Sequence, residues 1–405
     1  MIKKIFRTIH LYLALAAGLV IMLSCATGAI MVFEEELDHM VNHDRYYVEQ
    51  KAERLPLDQL LNTAVHQLPK AKTASIKVFS DPGRSVEVAL MVPEKKEAGD
   101  RGKEKQGGSD RKGEQGKKGE KGPKGGGKPG IFVYLDPYNG KVLDVYSKRE
   151  SFFFQVEMLH RFLLGGQNSI GKLIIGLSTL SFLIITLTGI ILWWPKNKNI
   201  LMQRLKFKTG GSFKRLNHDL HIVTGFYTSI FLLVIIVTGL VMAFAWANKG
   251  IYSLTGSSME SPEPSVSVYQ PGKKPVSAEA ALKSPQLANV EFYNLRLPKD
   301  SSGIYTVNVL ANGNSANRTD TYYIDQYSGS VIGQLKFTDK NLGQRIRSYV
   351  KPLHTGELFG LPGKVINFIL VILTFTFPIT GVIMWLNRIK NGKKKGRTAL
   401  ENLSS

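Results

Sequence analysis

Cysteine and acidic residues are scarce in this sequence, and both shortages limit what the protein can be. Cys25 is the only cysteine among 405 residues, which excludes a scaffold built on internal disulfides. Asp and Glu number 32 against 53 Lys and Arg, giving a formal net charge of +21. Such an excess suggests nucleic acid, but the basic residues here are concentrated beside apolar runs, so no nucleic-acid partner is expected. No glycine signature of the dinucleotide-binding type opens a helix after a strand, so no NAD or FAD site is expected either.

Four long apolar runs dominate what the sequence does contain: Leu11–Phe33, Leu173–Trp194, Leu220–Trp246 and Val365–Leu386. Each run has about 22 residues or more and almost no charge, and a membrane-spanning helix needs about 20. The sequence therefore predicts a membrane α-helical bundle of four helices and excludes a simple cytosolic enzyme. Leu23-Ser24-Cys25 resembles a lipoprotein cleavage site, so a cleaved signal is an alternative for the first run. That run continues to Phe33, however, beyond a normal signal core.

Short basic flanks predict how the four helices are oriented, because such flanks stay in the cytoplasm. Basic residues precede the first run, fill the segment 196–217 without any acidic residue, and follow the fourth run. Both termini and the middle loop are therefore predicted to be cytoplasmic. The predicted order is an N-terminus with helix one (1–33), an outer domain (34–171), helix two (172–195), a basic loop (196–218), helix three (219–247), a second outer domain (248–362), helix four (363–387) and a basic tail (388–405).

The chain also repeats itself. Tyr134–Val142 reads as strand, turn and strand, and Tyr323–Val331 repeats it, so each outer segment is predicted to be a small α+β domain. The unit of helix, outer domain and helix then occurs twice, which predicts two halves related by a pseudo-twofold axis along the membrane normal. The first outer domain is interrupted at 94–130 by a Lys-, Glu- and Gly-rich stretch, interpreted as a disordered insertion. Each apolar run ends in a Thr-Gly pair, interpreted as a helix-packing position: Thr27-Gly28, Thr188-Gly189, Thr238-Gly239 and Thr380-Gly381.

Four of the eight histidines occupy matching places in the two halves. His10 and His221 each stand 18 residues before the glycine of their own run, at the inner ends of helices one and three. His160 and His354 stand 29 and 27 residues before Gly189 and Gly381, at the outer ends of helices two and four. Imidazole is an axial ligand of haem iron, and a helix bundle can hold the porphyrin between facing helices. One histidine pair near each face therefore predicts two haem sites with no open axial position, which suits electron transfer.

Other histidines give weaker signals. His39 and His43 are spaced i, i+4 and would share one helix face as a possible zinc pair, but no third ligand is fixed. His218 lies three residues before His221 in a basic stretch and leaves the choice between these two histidines open. His221 is preferred because it keeps the 18-residue spacing to Gly239.

Several phrases together resemble a known family. They are His10-Leu11-Tyr12, Leu159–Gly165, Ile191–Lys196, Asn217–Tyr227 and Pro352–Glu357. The sequence resembles the PepSY-associated transmembrane helix family, often called iron-regulated membrane proteins, over nearly its whole length except the 94–130 insertion. The family includes haem-containing ferric-siderophore reductases of the bacterial inner membrane. One departure is His218, where the family phrase leads us to expect a tyrosine.

The resemblance implies PepSY folds for the two outer domains and two b-type haems, with His10, His221, His160 and His354 as the axial iron ligands. It also implies an enzyme that reduces a ferric siderophore or another ferric chelate outside the cytoplasmic membrane, releasing Fe(II) for uptake. The electron donor is left open between a quinol, a flavoprotein and a reduced flavin. Arg161 and Arg347, beside the outer histidines, are predicted to bind haem propionates. The alternative function is a membrane-anchored PepSY module that binds a peptide or restrains a protease without redox activity.

Overall fold

The computed structural model describes residues 2–92, 130–208, 210–260, 266–269, 271–283, 287, 289–315 and 317–401, the last nine by backbone alone. The predicted insertion at 94–130 lies outside these residues except for Gly130. The helices are α1 (Ile2–Val32), α2 (Glu34–Val41), α3 (His43–Tyr46), α4 (Leu57–Gln67), α5 (Phe152–Phe162), α6 (Ile170–Trp193), α7 (Lys198–Arg204), α8 (Phe213–Ala243), α9 (Ala245–Leu254), α10 (Ala278–Ala281), α11 (Leu342–Thr355) and α12 (Gly360–Glu401). The strands are β1 (Lys72–Phe79), β2 (Val86–Met91), β3 (Ile131–Leu135), β4 (Val142–Ser147), β5 (Val290–Arg296), β6 (Ile304–Ala311), β7 (Thr319–Asp325) and β8 (Val331–Leu335).

Four helices of the described chain are long and apolar enough to cross a membrane, as the sequence predicts. They are α1, α6, α8 and the helical stretch Glu357–Gly392 that contains most of α12. Helix α1 packs against α6 and α12, and α8 packs against the same two helices. Helix α6 ends at Trp193, two residues before Pro195, because the residue before a proline is disfavoured in the helical conformation. Helix α12 continues through the predicted basic tail as far as Glu401.

The strands form one antiparallel sheet of eight strands in the order β4-β3-β2-β1-β5-β6-β7-β8. The sequence predicts a small domain in each outer segment, and in the structure the two segments join through β1 and β5, where Ile76 pairs with Leu295. Both side chains are fully buried. Pairing satisfies the backbone groups that two open edge strands would otherwise leave exposed. The two β-rich segments therefore share one sheet and one hydrophobic core.

Helices α4 and α10 cover one face of this sheet and hold each other at their first turns. Glu279 of α10 accepts a hydrogen bond from the backbone N–H of Leu57 (2.9 Å), and Asp58 of α4 accepts one from the N–H of Ala278 (3.0 Å). A carboxylate at a helix N-terminus satisfies an N–H group that has no partner within the helix. Each half therefore caps a helix of the other half.

Two shorter helices, α5 and α11, follow β4 and β8 in the chain, pack against the bundle helices and begin at well-defined caps. The Ser151 side chain accepts from the N–H of Phe154 at the start of α5. Asn341 and Gln344 form a reciprocal capping box at the start of α11, a common way to satisfy the first free N–H groups. Helix α11 ends at Thr355 and is followed by Gly356, whose φ of 81° suits glycine. We call this end of the bundle the sheet end, and the end carrying Lys3, Lys196 and Arg388 the basic end.

Candidate cofactor site: two facing histidine pairs

The four histidines singled out by their spacing meet as two facing pairs, one toward each end of the bundle. His10 on α1 faces His221 on α8 toward the basic end, with ring centroids 6.4 Å apart. His160 on α5 faces His354 on α11 toward the sheet end, with centroids 6.5 Å apart. Both pairs are edge-on, and no hydrogen bond joins the two rings of either pair in the described chain. The pairing is the one that the sequence predicts.

Each ring is held through its Nδ1 atom by the threonine of a Thr-Gly pair on a neighbouring helix. The threonine in question never belongs to the helix that carries the histidine. In two cases the carbonyl three residues before the threonine lies at 3.0 Å as well, at Ile185 for His10 and at Ile235 for His354. The Nδ1-to-Oγ1 distances are 3.1 Å from His10 to Thr188, 2.9 Å from His221 to Thr380, 2.9 Å from His160 to Thr27 and 3.1 Å from His354 to Thr238.

These contacts determine which ring nitrogen carries the proton. Each of the four threonine hydroxyls donates to the carbonyl four residues earlier in its own helix, for example Thr27 to Leu23 at 2.8 Å and Thr188 to Ile184 at 2.7 Å. The hydroxyl oxygen is then left to accept, so the histidine Nδ1 must be the donor. The second nitrogen, Nε2, keeps its lone pair and has no hydrogen-bond partner among the described residues. A histidine oriented through one nitrogen with the other free is the arrangement found in metal ligands.

The glycine of each Thr-Gly pair lies directly against the imidazole ring. A Cβ atom at Gly28 would lie 3.5 Å from Cε1 of His160, and one at Gly189 would lie 3.3 Å from Cε1 of His10. The same contact occurs between Gly239 and His354 at 3.4 Å and between Gly381 and His221 at 3.3 Å. The Thr-Gly pairs, interpreted from sequence as helix-packing positions, are therefore seats for the four histidines. Their number, equal to that of the matched histidines, was the signal that sequence reasoning did not use.

The geometry of each pair fits two imidazoles on opposite sides of one metal. Two metal–nitrogen bonds of about 2 Å plus the two ring radii separate the ring centres by about 6 Å, close to the observed distances. Among the described residues no third His, Cys, Asp or Glu joins either pair to make a metal-binding group. Zinc takes four ligands, whereas iron already held by a porphyrin takes only two axial ones. The donor set therefore fits haem better than a bare ion.

A cavity of about 880 Å³ surrounds the His10/His221 pair, which is within the range of about 300–1,000 Å³ typical of ligand pockets. It reaches from Lys3 at the basic end to Ile21 and Thr374 deep in the bundle. Most of the lining is apolar or aromatic, with Trp193 stacked on Phe226 at a centroid distance of 3.6 Å. The cavity thus offers an apolar enclosure around the two free Nε2 atoms.

The histidines toward the sheet end are held in the neutral form. Desolvation by the surrounding helices, together with the neighbouring His354, lowers the pKa of His160 to about 4. The pKa of His354 is also lowered by desolvation, against the effect of its bond to Ile235. Neutral imidazole is the form that binds a metal, so both rings are in the ligating state at pH 7.

Two asparagines in the second half support the seats and were missed by sequence reasoning. The Asn217 side chain donates to the carbonyl of Thr380 at 3.1 Å, and Asn367 donates to the carbonyl of His354 at 3.1 Å. Both are buried, with exposures of 3% and 6%. The first half has Phe6 and Ile175 at the matching positions. A buried amide in a membrane helix is costly and therefore marks a functional position, a signal that both residues offered.

The remaining candidates do not belong to either facing pair. Arg161 pairs with Glu157 at 2.6 Å on the surface of α5, and Arg347 is half-buried on α11. The partner of His218 is Asp219, at 3.3 Å, so His221 alone occupies the seat at Thr380. His39 and His43 belong to different short helices; His39 lies tilted against Tyr46, and His43 stacks on Tyr47. The two do not converge on a shared metal position with a third ligand in the described chain.

Comparison with known proteins identifies the family. No curated protein matches the chain. A family model described as the PepSY-associated TM region matches residues 7–388, which include all four seats and all four facing histidines. The chain therefore belongs to the PepSY-associated TM family.

Proposed function

We propose that this protein is a di-haem electron-transfer protein of the bacterial cytoplasmic membrane that reduces a ferric siderophore or another ferric chelate. The observation that carries the proposal is the pair of facing, identically seated histidine pairs at the two ends of one bundle. Two sites at different depths suit transfer across a membrane. A module that only anchors an outer domain has no use for four oriented histidines with free Nε2 atoms.

Each pair would hold one b-type haem, whose iron supplies one-electron chemistry when bound. The residues of the chain do the rest. His10 and His221, like His160 and His354, would hold the iron through two histidines and so leave no position open for oxygen. The threonine seats fix ring orientation and increase the electron donation of each imidazole. The two halves, related by the proposed pseudo-twofold axis, would contribute one histidine each to both sites.

The charge distribution supports one direction for the electrons. Short basic flanks are cytoplasmic in membrane proteins, so the basic end would face the cytoplasm and the sheet end, with its PepSY-like domains, the periplasm. A cytoplasmic reductant or a membrane quinol would then donate toward the His10/His221 pair. One electron per chelate converts Fe(III) to Fe(II) near the His160/His354 pair. Oxygen-rich chelators bind Fe(II) far less tightly, so reduction releases the iron.

The proposal is tested first by spectroscopy on the purified full chain. We expect a Soret band and two haems per chain, and single alanine substitutions at His10, His221, His160 or His354 should each remove about half of the haem. His66→Ala, on α4 and outside both pairs, is the matched control and should keep both haems. A colourless protein, or four alanine variants with full haem content, would contradict the haem assignment and favour the peptide-binding alternative.

The substrate is tested on the dithionite-reduced protein. After excess dithionite is removed, adding a ferric siderophore should reoxidise the haem spectrum and release Fe(II), which a colorimetric Fe(II) chelator traps at one iron per electron. The same chelate loaded with Ga(III), which is not reduced under these conditions, should leave the spectrum unchanged. A haem protein that no ferric chelate reoxidises would retain the electron-transfer assignment but lose its proposed substrate.

A further inference from the structure

The mouth of the cavity around His10 and His221 is ringed by five basic side chains and no acidic one: Lys3, Arg7, Lys196, Arg204 and Arg388. Two of the five already have partners on the chain. Lys3 donates to the carbonyl of Trp194 at 2.9 Å, and Arg204 donates to the carbonyls of Trp193 and Leu192. These carbonyls end α6 and lack helical partners. Lys3 and Arg204 therefore cap a helix.

The other three form a cation group that the chain does not neutralise. Within the described residues, no hydrogen bond or ion pair involves the side chain of Arg7, Lys196 or Arg388. The orienting effect of basic flanks explains why cations lie at this end of the bundle, but it does not explain why these three line the cavity. Three unpaired cations at the mouth of an apolar cavity favour an anionic group inside it.

Their positions follow the histidine seats. Lys196 stands seven residues after Gly189, the glycine under His10, and Arg388 stands seven residues after Gly381, the glycine under His221. In α12 seven residues are about two helical turns, which returns Arg388 to the helix face of its glycine. Arg7 lies three residues before His10, on the same side of α1. Lys196 and Arg388 thus each follow one of the two seats that hold the His10/His221 pair.

We infer that Arg7, Lys196 and Arg388 form a dicarboxylate subsite that binds the two propionates of a haem held by His10 and His221. The inference rests on the proposed function and adds the orientation of the cofactor. Haem carries its two propionates side by side on one edge, so one cation from each half meets one carboxylate. The carboxylate edge then lies at the basic end, where the electron donor approaches, and the apolar edge points into the bundle. Charge-assisted bonds to carboxylates are the strong kind of hydrogen bond.

The experiment compares haem with its dimethyl ester, in which both propionates are neutral, in the full chain with the sheet-end site removed by His354→Ala. His160→Ala serves the same purpose if the first variant expresses poorly. We expect this background to bind haem more tightly than the ester. In the double variant Lys196→Gln and Arg388→Gln, haem affinity should fall by about fivefold per cation, while the affinity for the ester stays unchanged. The difference should shrink at high salt, because the cations are exposed.

Lys390→Gln removes a cation from the same end of α12 that does not line the cavity, and it should leave the preference for haem intact. A double variant that keeps the full preference for haem over its ester would overturn the inference while leaving the proposed function in place. An equal loss in Lys390→Gln would also overturn it, because a general charge effect would then suffice. If the background binds neither compound, the proposed function itself is wrong and this inference falls with it.

Discussion

At the scale of single residues, the threonine hydroxyl of each seat works in two directions. It donates to its own helix and accepts from the histidine of another, so one small side chain satisfies a membrane helix and orients a ring. Thr380 shows the full arrangement, with its hydroxyl 3.0 Å from the carbonyl of Thr376 and 2.9 Å from Nδ1 of His221. Because the hydroxyl already donates its proton to the helix, it can only accept a hydrogen bond from the ring, and the imidazole proton must therefore be on Nδ1.

Replacing Thr380 by valine keeps the shape of the side chain and removes the acceptor. We expect the haem affinity of the His10/His221 site to fall by about tenfold, within the usual 10–100-fold range for such partners, because Nδ1 of His221 loses its hydrogen-bond partner. The midpoint potential of this haem should rise, since a less electron-donating imidazole stabilises Fe(III) less. Haem titration and redox titration measure both effects.

Thr376→Val is the control for this substitution. Among the described residues, the Thr376 hydroxyl bonds to the carbonyl of Leu373 in its own helix and to no histidine, so this variant makes the same change of side chain without removing a seat. An unchanged potential in Thr380→Val, or an equal shift in Thr376→Val, would show that the hydroxyl does not act through His221.

At the scale of helices, each of the four facing histidines is held by a Thr-Gly pair on a helix other than its own. Helix α1 carries His10, which is seated on α6, while its own Thr27-Gly28 seats His160 of α5. Helix α8 carries His221, which is seated on α12, while its Thr238-Gly239 seats His354 of α11. Neither site can therefore form unless neighbouring helices pack correctly, and packing of the bundle also positions the candidate ligands.

This crossing explains what the sequence predicts and what it does not. The 18-residue spacing from His10 to Gly28 correctly places them at opposite ends of one helix. Spacing along a chain cannot say which neighbouring helix lies against His10, since that depends on the packing of α1 with α6. The facing pairs are predictable from the repeat. Which Thr-Gly pair holds which histidine, and the contacts of Asn217 and Asn367, depend on helix packing and are not.

The asparagines provide a prediction with a built-in control. Asn217→Leu should weaken haem binding at the His10/His221 site by a few-fold, because a buried hydrogen bond of about 0.5–1.5 kcal/mol is lost, and leave the other site unchanged. Asn367→Leu should weaken haem binding at the His160/His354 site and leave the His10/His221 site unchanged. Separate redox titration of the two haems in each variant resolves the two sites. Equal weakening of both haems in either variant would indicate a general loss of stability instead of a local support.

At the scale of the whole molecule, the shared sheet joins the two halves outside the bundle. The two β-rich segments are recognisable from sequence by their repeated strand–turn–strand phrases, since alternation and turn residues are local signals. Their union in one sheet is not recognisable from sequence, because β1 pairs with β5, a strand far away in the chain. The sheet also shows how the segment between β2 and β3 is bounded: Leu90 pairs directly with Ile131.

That register predicts that residues 93–129 are dispensable. Replacing them with a short Asn-Gly turn should connect two strands that are already paired, because this dipeptide suits a tight hairpin. Haem content should be unchanged, and stability should rise by on the order of 2 kcal/mol at most, since closing a shorter loop costs less entropy. Haem content and thermal unfolding of the two proteins are compared. Loss of expression or of haem in the shortened chain, but not in one with the segment scrambled, would reveal a role for its length.

The junction of β1 and β5 has a consequence for the time course of biosynthesis. The partner of Ile76, Leu295, is made roughly 220 residues later, on the order of ten to forty seconds at a synthesis rate of about 5–20 residues per second. Until then β1 is an open edge on which any extended chain can pair. Its Lys72 and Lys77 are the kind of residue that discourages such pairing. Completion of the sheet is therefore a late event, and a nascent chain stalled before β5 would present the most aggregation-prone form of this protein.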